Sequence, residues 1–233
     1  MIKAVIFDLD NTLYDFDAAD LIARKYLCRY AEKTLGLDEE TFLKIYSESR
    51  RIIKTRLTEG SGQHSRVLFF QTTLELLGKN PFDYILEMYE AYWTPFLEHM
   101  QLYDGVFEFL QRLKSAGIKT AVCTDMTAQI QFRKIRKLGL SHLIDALVSS
   151  EETGVEKPSP IMFRLALEKL NVRAEEAAMI GDSLSKDIKG AANVGILPIY
   201  FVAGRPIEIS EFLTIKTYRD ARLQSNIFEN GVM

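Results

Sequence analysis

From Asp104 onward the chain alternates short apolar runs with stretches of helical length, and this alternation restricts the fold more than any other feature. A helix over 106–115, stopped by Gly117, precedes a strand over 118–123. A helix over 128–138, stopped by Gly139, precedes a short strand over 146–149. Pro158 opens a helix over 159–170, a strand over 177–180 runs into Gly181-Asp182, and a helix over 186–194 stops at Gly195 before a strand over 197–202. Strands separated by helices of this length are joined by right-handed crossovers, which makes the sheet parallel. The opening run Ile2 to Phe7 is apolar without alternation, as expected of a strand covered on both faces, and joins the same sheet.

Between these parts the pattern changes. From about Phe16 to about His99 apolar residues recur at helical spacing: Leu21, Ile22, Tyr26 and Tyr30; Phe42, Ile45 and Tyr46; Ile52, Ile53 and Leu57. A turn at Glu59-Gly60-Ser61-Gly62 precedes a helix over 67–77 closed by Gly78, and Pro81 opens another carrying Ile85, Met88, Tyr89 and Tyr92. No strand pattern interrupts this zone, so it reads as a helical domain inserted between the first two strands of the sheet. The tail after Arg205 is less patterned, with an edge strand over 214–217 and a turn or short helix over 218–223.

Composition narrows the function. Of 233 residues, 47% are apolar and 26% charged, and the net charge of -3 leaves no basic excess for nucleic acid or an anionic membrane. Two cysteines, Cys28 and Cys123, stand far apart with no CxxC pattern, which fits a reducing cytoplasm, and no run reaches the length of a membrane span.

In an open parallel sheet, ligands sit outside the carboxyl ends of the strands. The first strand ends in Asp8-Leu9-Asp10-Asn11-Thr12, the next in Thr124-Asp125, and the third is followed by 151–158, which contains Lys157-Pro158. The fourth ends in Gly181-Asp182-Ser183, with Asp187 five residues beyond Asp182. Asp8 and Asp10, two apart, leave the strand on the same side and repel unless a cation or a shared proton relieves them. A calcium loop of the EF-hand type would need Gly and Glu where Leu13 and Ala19 stand, and helix capping accounts for one Asp but not two. Carboxylates, a hydroxyl and an ammonium in one crevice suit phosphoryl transfer: one carboxylate attacks phosphorus, a second moves protons, and a hard divalent cation offsets the charge.

These residues resemble the haloacid dehalogenase superfamily of phosphatases. Asp8-Leu9-Asp10-Asn11-Thr12 is similar to its first motif, DxDxT; Thr124 to the hydroxyl of the second; Lys157 before Pro158 to the third; and Gly181-Asp182-Ser183 with Asp187 to the fourth. The insertion resembles the helical cap of its phosphoglycolate phosphatase and nucleotidase members. The resemblance implies an α/β fold, a Rossmann-like parallel-sheet core over 1–15 and 100–233, with an inserted α-helical cap domain over 16–99. It implies a Mg2+-dependent phosphomonoester hydrolase acting on a small phosphorylated metabolite through an aspartyl-phosphate. Asp8 would be nucleophile and metal ligand. Asp10 would be the general acid/base, with its backbone carbonyl on the metal. Thr124, Asp125 and Lys157 would bind the phosphoryl group, and Asp182 would ligate the metal. Asp187, Thr12 and Ser183 would support these groups from behind. Many members carry Asn where Asp125 stands, so the backbone N–H of Asp125 is expected to bind the phosphoryl oxygens. A sugar phosphomutase uses the same residues, whereas haloacid dehalogenases typically replace the acid found here as Asp10. Of the remaining residues, His64 and Arg66 either reach the substrate or sit in a solvated loop. Phe69, Phe70, Tyr89, Tyr92 and Trp93 read as cap core, and Cys123 as a small buried residue. The segments near Tyr14 to Asp17 and Pro95 to Asp104 are expected to act as hinges.

Overall fold

A computed structural model describes residues 1–204, 211–219 and 221. Six parallel strands form one sheet in the order β3-β2-β1-β4-β5-β6. They are β1 Ala4–Phe7, β2 Lys119–Thr124, β3 Ala146–Ser149, β4 Ala177–Gly181, β5 Leu197–Phe201 and β6 Leu213–Ile215. The chain builds outward from β1 through β2 to β3, then crosses to the other side of β1 for β4. The winding direction therefore reverses between β1 and β4, and a crevice opens at their carboxyl ends.

β1 is buried along its whole length because both faces of the sheet are covered. Val5 and Phe7 point to one face, where α5 (Val106–Ser115) brings Val106, Phe109, Leu110 and Leu113. Ala4 and Ile6 point to the other, where α8 (Pro160–Leu170) brings Met162, Phe163, Ala166 and Leu170. The two remaining core helices of note follow β2 and β3: α6 (Ala128–Lys137) and the single turn α7 (Ser150–Thr153).

Residues 16–98 are helical, as the spacing requires: α1 Phe16–Tyr30, α2 Glu39–Arg56, α3 Arg66–Leu76 and α4 Ile85–Glu98. α1 packs on α4 and α2 on α3. The chain enters and leaves this insert side by side. Asp15 N–H donates to the carbonyl of Gln101 at 3.4 Å, and Tyr103 N–H to that of Leu13 at 3.0 Å. Among the described residues no helix is long and apolar enough to cross a membrane.

Several local expectations change. Pro81 opens a 3-10 turn, Pro81–Asp83, capped by the Asn80 side chain, and the helix proper starts at Ile85. Pro95 lies inside α4, so the second crossing begins only after Glu98. The turn after Glu59 continues as a 3-10 segment, Ser61–His64. The helix expected over 186–194 is a wide turn, Leu184–Ile188, followed by the short α9, Lys189–Ala192. That wide turn lets Asp187 fold back on Ser183, whose N–H it accepts at 3.0 Å. β6 lies one residue before the expected edge strand, and of the expected turn over 218–223 only part lies within the described residues.

Candidate active site

The crevice between β1 and β4 receives the residues singled out at the strand ends. β1 delivers Asp8, which is 7% exposed, and the chain then turns back at Asn11. Asn11 takes the left-handed conformation, φ +61°, that Asn tolerates, and its side-chain carbonyl accepts from Phe16 N–H at 2.9 Å. The motif is thereby tied to the first turn of α1. Thr12 places its hydroxyl 3.2 Å from Asp8 Oδ2 and 3.4 Å from Asp182 Oδ1, so it joins the ends of β1 and β4. Tyr218 supports the motif from beneath by donating to the carbonyl of Thr12 at 3.1 Å.

Lys157 is the hub of the floor. Its ammonium donates to Asp8 Oδ1 at 2.6 Å, Asp187 Oδ1 at 2.7 Å and the carbonyl of Cys123 at 2.9 Å. Burial opposes its charge, yet Asp187 and Asp8 hold its pKa well above the usual lysine range. Asp187 accepts from Lys157 through one oxygen and from Ser183 N–H through the other. This depends on Gly181: a Cβ there would lie 2.4 Å from the Asp187 side chain.

Asp8 carries the opposite imbalance. Burial raises its pKa well above the usual carboxylate range, Lys157 pulls it down, and Asp187, Asp182 and Asp10 push it up further. One oxygen each from Asp8, Asp182 and Asp187 lie within 4.8 Å of one another. Three hard oxygen donors at one point, one of them costly to ionise alone, fit a divalent cation of the magnesium type.

Asp10 faces away from that cluster. Both its oxygens accept from Lys134 Nζ, at 2.8 and 2.9 Å, and Oδ1 also accepts from the Tyr14 hydroxyl at 2.6 Å. Lys134 comes from α6 and is fully buried, with the rings of Tyr14, Phe16, Trp93 and Phe96 between 5.4 and 5.8 Å from its ammonium. Burial lowers its pKa, more than Asp10 raises it. Three of the four rings, Phe16, Trp93 and Phe96, belong to the insert's first and last helices, so the insert reaches Asp10 through this lysine.

Thr124 ends β2 with its hydroxyl 2.6 Å from Gln131 Nε2, a second polar side chain on the buried face of α6. Asp125 does not turn its carboxylate to the crevice alone. One oxygen accepts from the Lys157 backbone N–H at 2.9 Å and the other from Lys186 Nζ at 2.9 Å, so it braces the loop that carries Lys157. Lys186 also donates to Glu156 at 3.0 Å. His64 of the insert lies 3.1 Å from the other Glu156 oxygen, at ion-pair range for a protonated ring though off the line of a hydrogen bond. The backbones meet close by: a Cβ on Gly60 would stand 3.1 Å from the carbonyl oxygen of Gly154.

A cavity of about 210 Å³ remains between sheet and insert. Asp8, Asp10 and Thr124 line it from the core; Phe16, His64 and Arg66 line it from the insert. His64 and Arg66 thus line this cavity beside Asp8, Asp10 and Thr124. Phe69, Phe70, Tyr92 and Trp93 are buried in the insert as expected, Tyr89 is only half-buried and borders a second cavity, and Cys123 is buried beneath Lys157. A larger groove of about 520 Å³ lies along α2 near Leu76, away from these groups. The sequence reading missed Lys134, Tyr14, Gln131, Glu156, Lys186 and Tyr218.

A family model for haloacid dehalogenase-like hydrolases matches residues 2–195. A ribulose-1,5-bisphosphate 5-phosphatase of Halopiger xanaduensis is 39% identical over 204 residues, 86% of this chain and 85% of the relative. A glyceraldehyde 3-phosphate phosphatase of Methanopyrus kandleri is 34% identical over 209 residues, 88% of this chain and 86% of the relative. Among solved structures, a 2-haloacid dehalogenase from Pseudomonas syringae superposes with a TM-score of 0.75 at 25% identity, covering 94% of this chain and 96% of its own.

Proposed function

The chain belongs to the haloacid dehalogenase-like hydrolases, and from that premise we propose that it is a magnesium-dependent phosphatase of small phosphorylated metabolites, working through an aspartyl-phosphate on Asp8. One observation carries the reading: a buried carboxylate, Asp8, is gripped by Lys157 within a cluster of further acids, with a separately held acid, Asp10, on the same cavity. The curated relatives, both named as phosphatases of phosphorylated metabolites, support it.

Asp8 and Asp182, with the backbone carbonyl of Asp10, are the groups proposed to hold magnesium. Asp187 lies deeper than Asp8, beneath Lys157 and tied to Ser183 N–H, which suits a supporting role. Bound there, the ion would neutralise charge shared between the carboxylates and the phosphoryl oxygens. Asp8 attacks phosphorus, and Asp10 gives a proton to the departing oxygen and later takes one from the water that cleaves the acyl phosphate. Thr124 and Lys157 bind the phosphoryl oxygens, Lys157 by trading one of its present partners. The helical insert acts as a cap, and its two paired crossings act as the hinge.

The cavity of about 210 Å³ and the adjoining one of about 140 Å³ together sit at the small end of the roughly 300–1,000 Å³ usual for drug-sized ligands, which favours a short carbon skeleton over a nucleotide. Asp10, held by both Lys134 and Tyr14, favours phosphate over halide chemistry. The test is phosphate release from a panel of phosphorylated metabolites with magnesium, using wild type and Asp8→Asn. Release that disappears in the variant supports the mechanism, and undiminished release from Asp8→Asn refutes it. Isomerisation of a sugar phosphate without net release would mark a phosphomutase instead.

A further inference from the structure

We propose that Arg66, with His64 beside it, receives a second anionic group of the substrate, so that the preferred ester carries a carboxylate or another phosphate at the end remote from the one removed. This rests on the phosphatase reading and says what the rest of the substrate is.

Arg66 opens α3 and is only 8% exposed, yet it lines the same cavity as Asp8 and Thr124. It also lines an adjoining cavity of about 140 Å³, with Tyr89, Trp93 and Thr127. The guanidinium therefore stands where the space beyond the phosphoryl site continues. Its hydrogen bonds go to the carbonyl of His64 at 3.2 Å and the hydroxyl of Tyr92 at 3.1 Å, both neutral acceptors. Nε has no partner.

The acid paired with it is shared. Asp20 lies 3.8 Å from Arg66, too far for a hydrogen bond, while it accepts from Tyr92 at 2.5 Å and faces Arg24 Nε at 3.0 Å. Two arginines thus divide one carboxylate, and the better contact belongs to Arg24. Glu151, which borders the adjoining cavity, is engaged by the N–H of Ala128 at 2.8 Å. A buried guanidinium is normally paired, because an uncompensated buried ion is unfavourable. Arg66 thus has one shared carboxylate at 3.8 Å and an unpartnered Nε, and it lines both cavities.

Other cations act on the same region. Lys54 has its pKa lowered by burial and then by Arg50, Arg66 and Lys186. Arg66 is also held still: its guanidinium packs over Tyr92, Phe69 and Trp93 at 5.0 to 5.8 Å, so little freedom is lost when an anion binds.

The test uses two substrate pairs with magnesium: glycerol 3-phosphate against 3-phosphoglycerate, and ribulose 5-phosphate against ribulose 1,5-bisphosphate. The first pair reads a carboxylate, the second a phosphate. Wild type is expected to prefer the doubly anionic member of at least one pair. Arg66→Gln is expected to lower kcat/KM for that member by about 10-fold more than for its partner, chiefly through KM, and Arg66→Lys to recover part of the loss. Equal losses within both pairs, or a wild-type preference for the singly anionic member in both, overturn the inference. If Arg66→Gln fails to fold, Arg66→Lys decides on the same pairs: a selective loss on the doubly anionic member supports the inference, and equal losses within both pairs overturn it. Phosphate release from none of the four overturns the phosphatase reading and this inference together, whereas release without discrimination overturns only this one.

Discussion

Lys134 Nζ meets both carboxylate oxygens of Asp10 from 124 residues further along the chain. Buried among rings, the ammonium fixes where that carboxylate points. Lys134→Met should therefore weaken proton transfer at the departing oxygen more than substrate binding. The expected loss in kcat/KM is about 100-fold for alkyl phosphates, whose leaving oxygen needs the proton, and distinctly smaller for 4-nitrophenyl phosphate. Lys134→Arg should recover part of it. Equal losses on both esters would show that Lys134 does not act through Asp10.

Metal and pH should act on stability together through Asp8. Its folded pKa is raised, by burial first and then by neighbouring acids against the pull of Lys157. The metal-free folded state thus holds a proton there that the unfolded state releases near pH 4. By linkage this group's contribution is intact below that pH and is lost as pH rises toward the folded pKa. Magnesium should offset the loss, stabilising by about 2.7 kcal/mol at a hundredfold excess over its Kd. Thermal unfolding at pH 5 and pH 8, with magnesium and with chelator, should show the larger magnesium-dependent rise in Tm at pH 8.

Gly181→Ala tests the packing beneath the lysine. The added Cβ would sit 2.4 Å from Asp187, which must shift and release Lys157 or Ser183. Overpacking of this kind costs about 1–3 kcal/mol, and activity should fall further than stability accounts for. A variant with wild-type turnover would mean that Asp187 does not need its present position.

Cys123 should resist thiol reagents. Burial pushes its thiol up to about 12, although Lys157 beside it pulls the other way. At pH 8 the native protein should leave the Cys123 peptide unlabelled by iodoacetamide, as read by mass spectrometry, and denaturant should expose it. Labelling of native Cys123 at the rate of a free thiol would contradict this burial.

The strand ends were legible because a parallel sheet gathers them by rule. The period of the apolar runs located the strands, and the residue just past each run supplied the chemistry. Asp8, Thr124 and Asp182 follow from that logic; Lys157 stands beyond β3 and the turn α7, and its place before Pro158 in the motif pattern singled it out. Lys134 and Gln131 do not, because which face of α6 meets the site depends on how the crossover is rotated. A sign was present: the buried face of α6 reads Ile130, Gln131, Lys134 and Ile135, two polar residues among isoleucines. Asp125 shows the limit of reading one residue at a time. Its carboxylate serves the Lys157 loop and Lys186, partners 32 and 61 positions away. The wide turn at Leu184–Ile188 was read as plain helix, because apolar spacing does not distinguish the two.

The central position of β1 has a consequence for how the protein comes into being. Ala4 pairs with Lys119 on one side and with Ala177 on the other. During synthesis the strand that ends at Asp8 emerges before the other five, and both of its edges stay open while the whole helical insert is made. Its first neighbour arrives with β2 and its second only with β4. The insert can fold locally before the sheet exists, whereas the loop at Asp8 gains Lys157 and Asp187 after most of the chain has been translated. Until then a nascent chain carries a finished roof over an unfinished floor, and its exposed apolar strand depends on shelter from elsewhere.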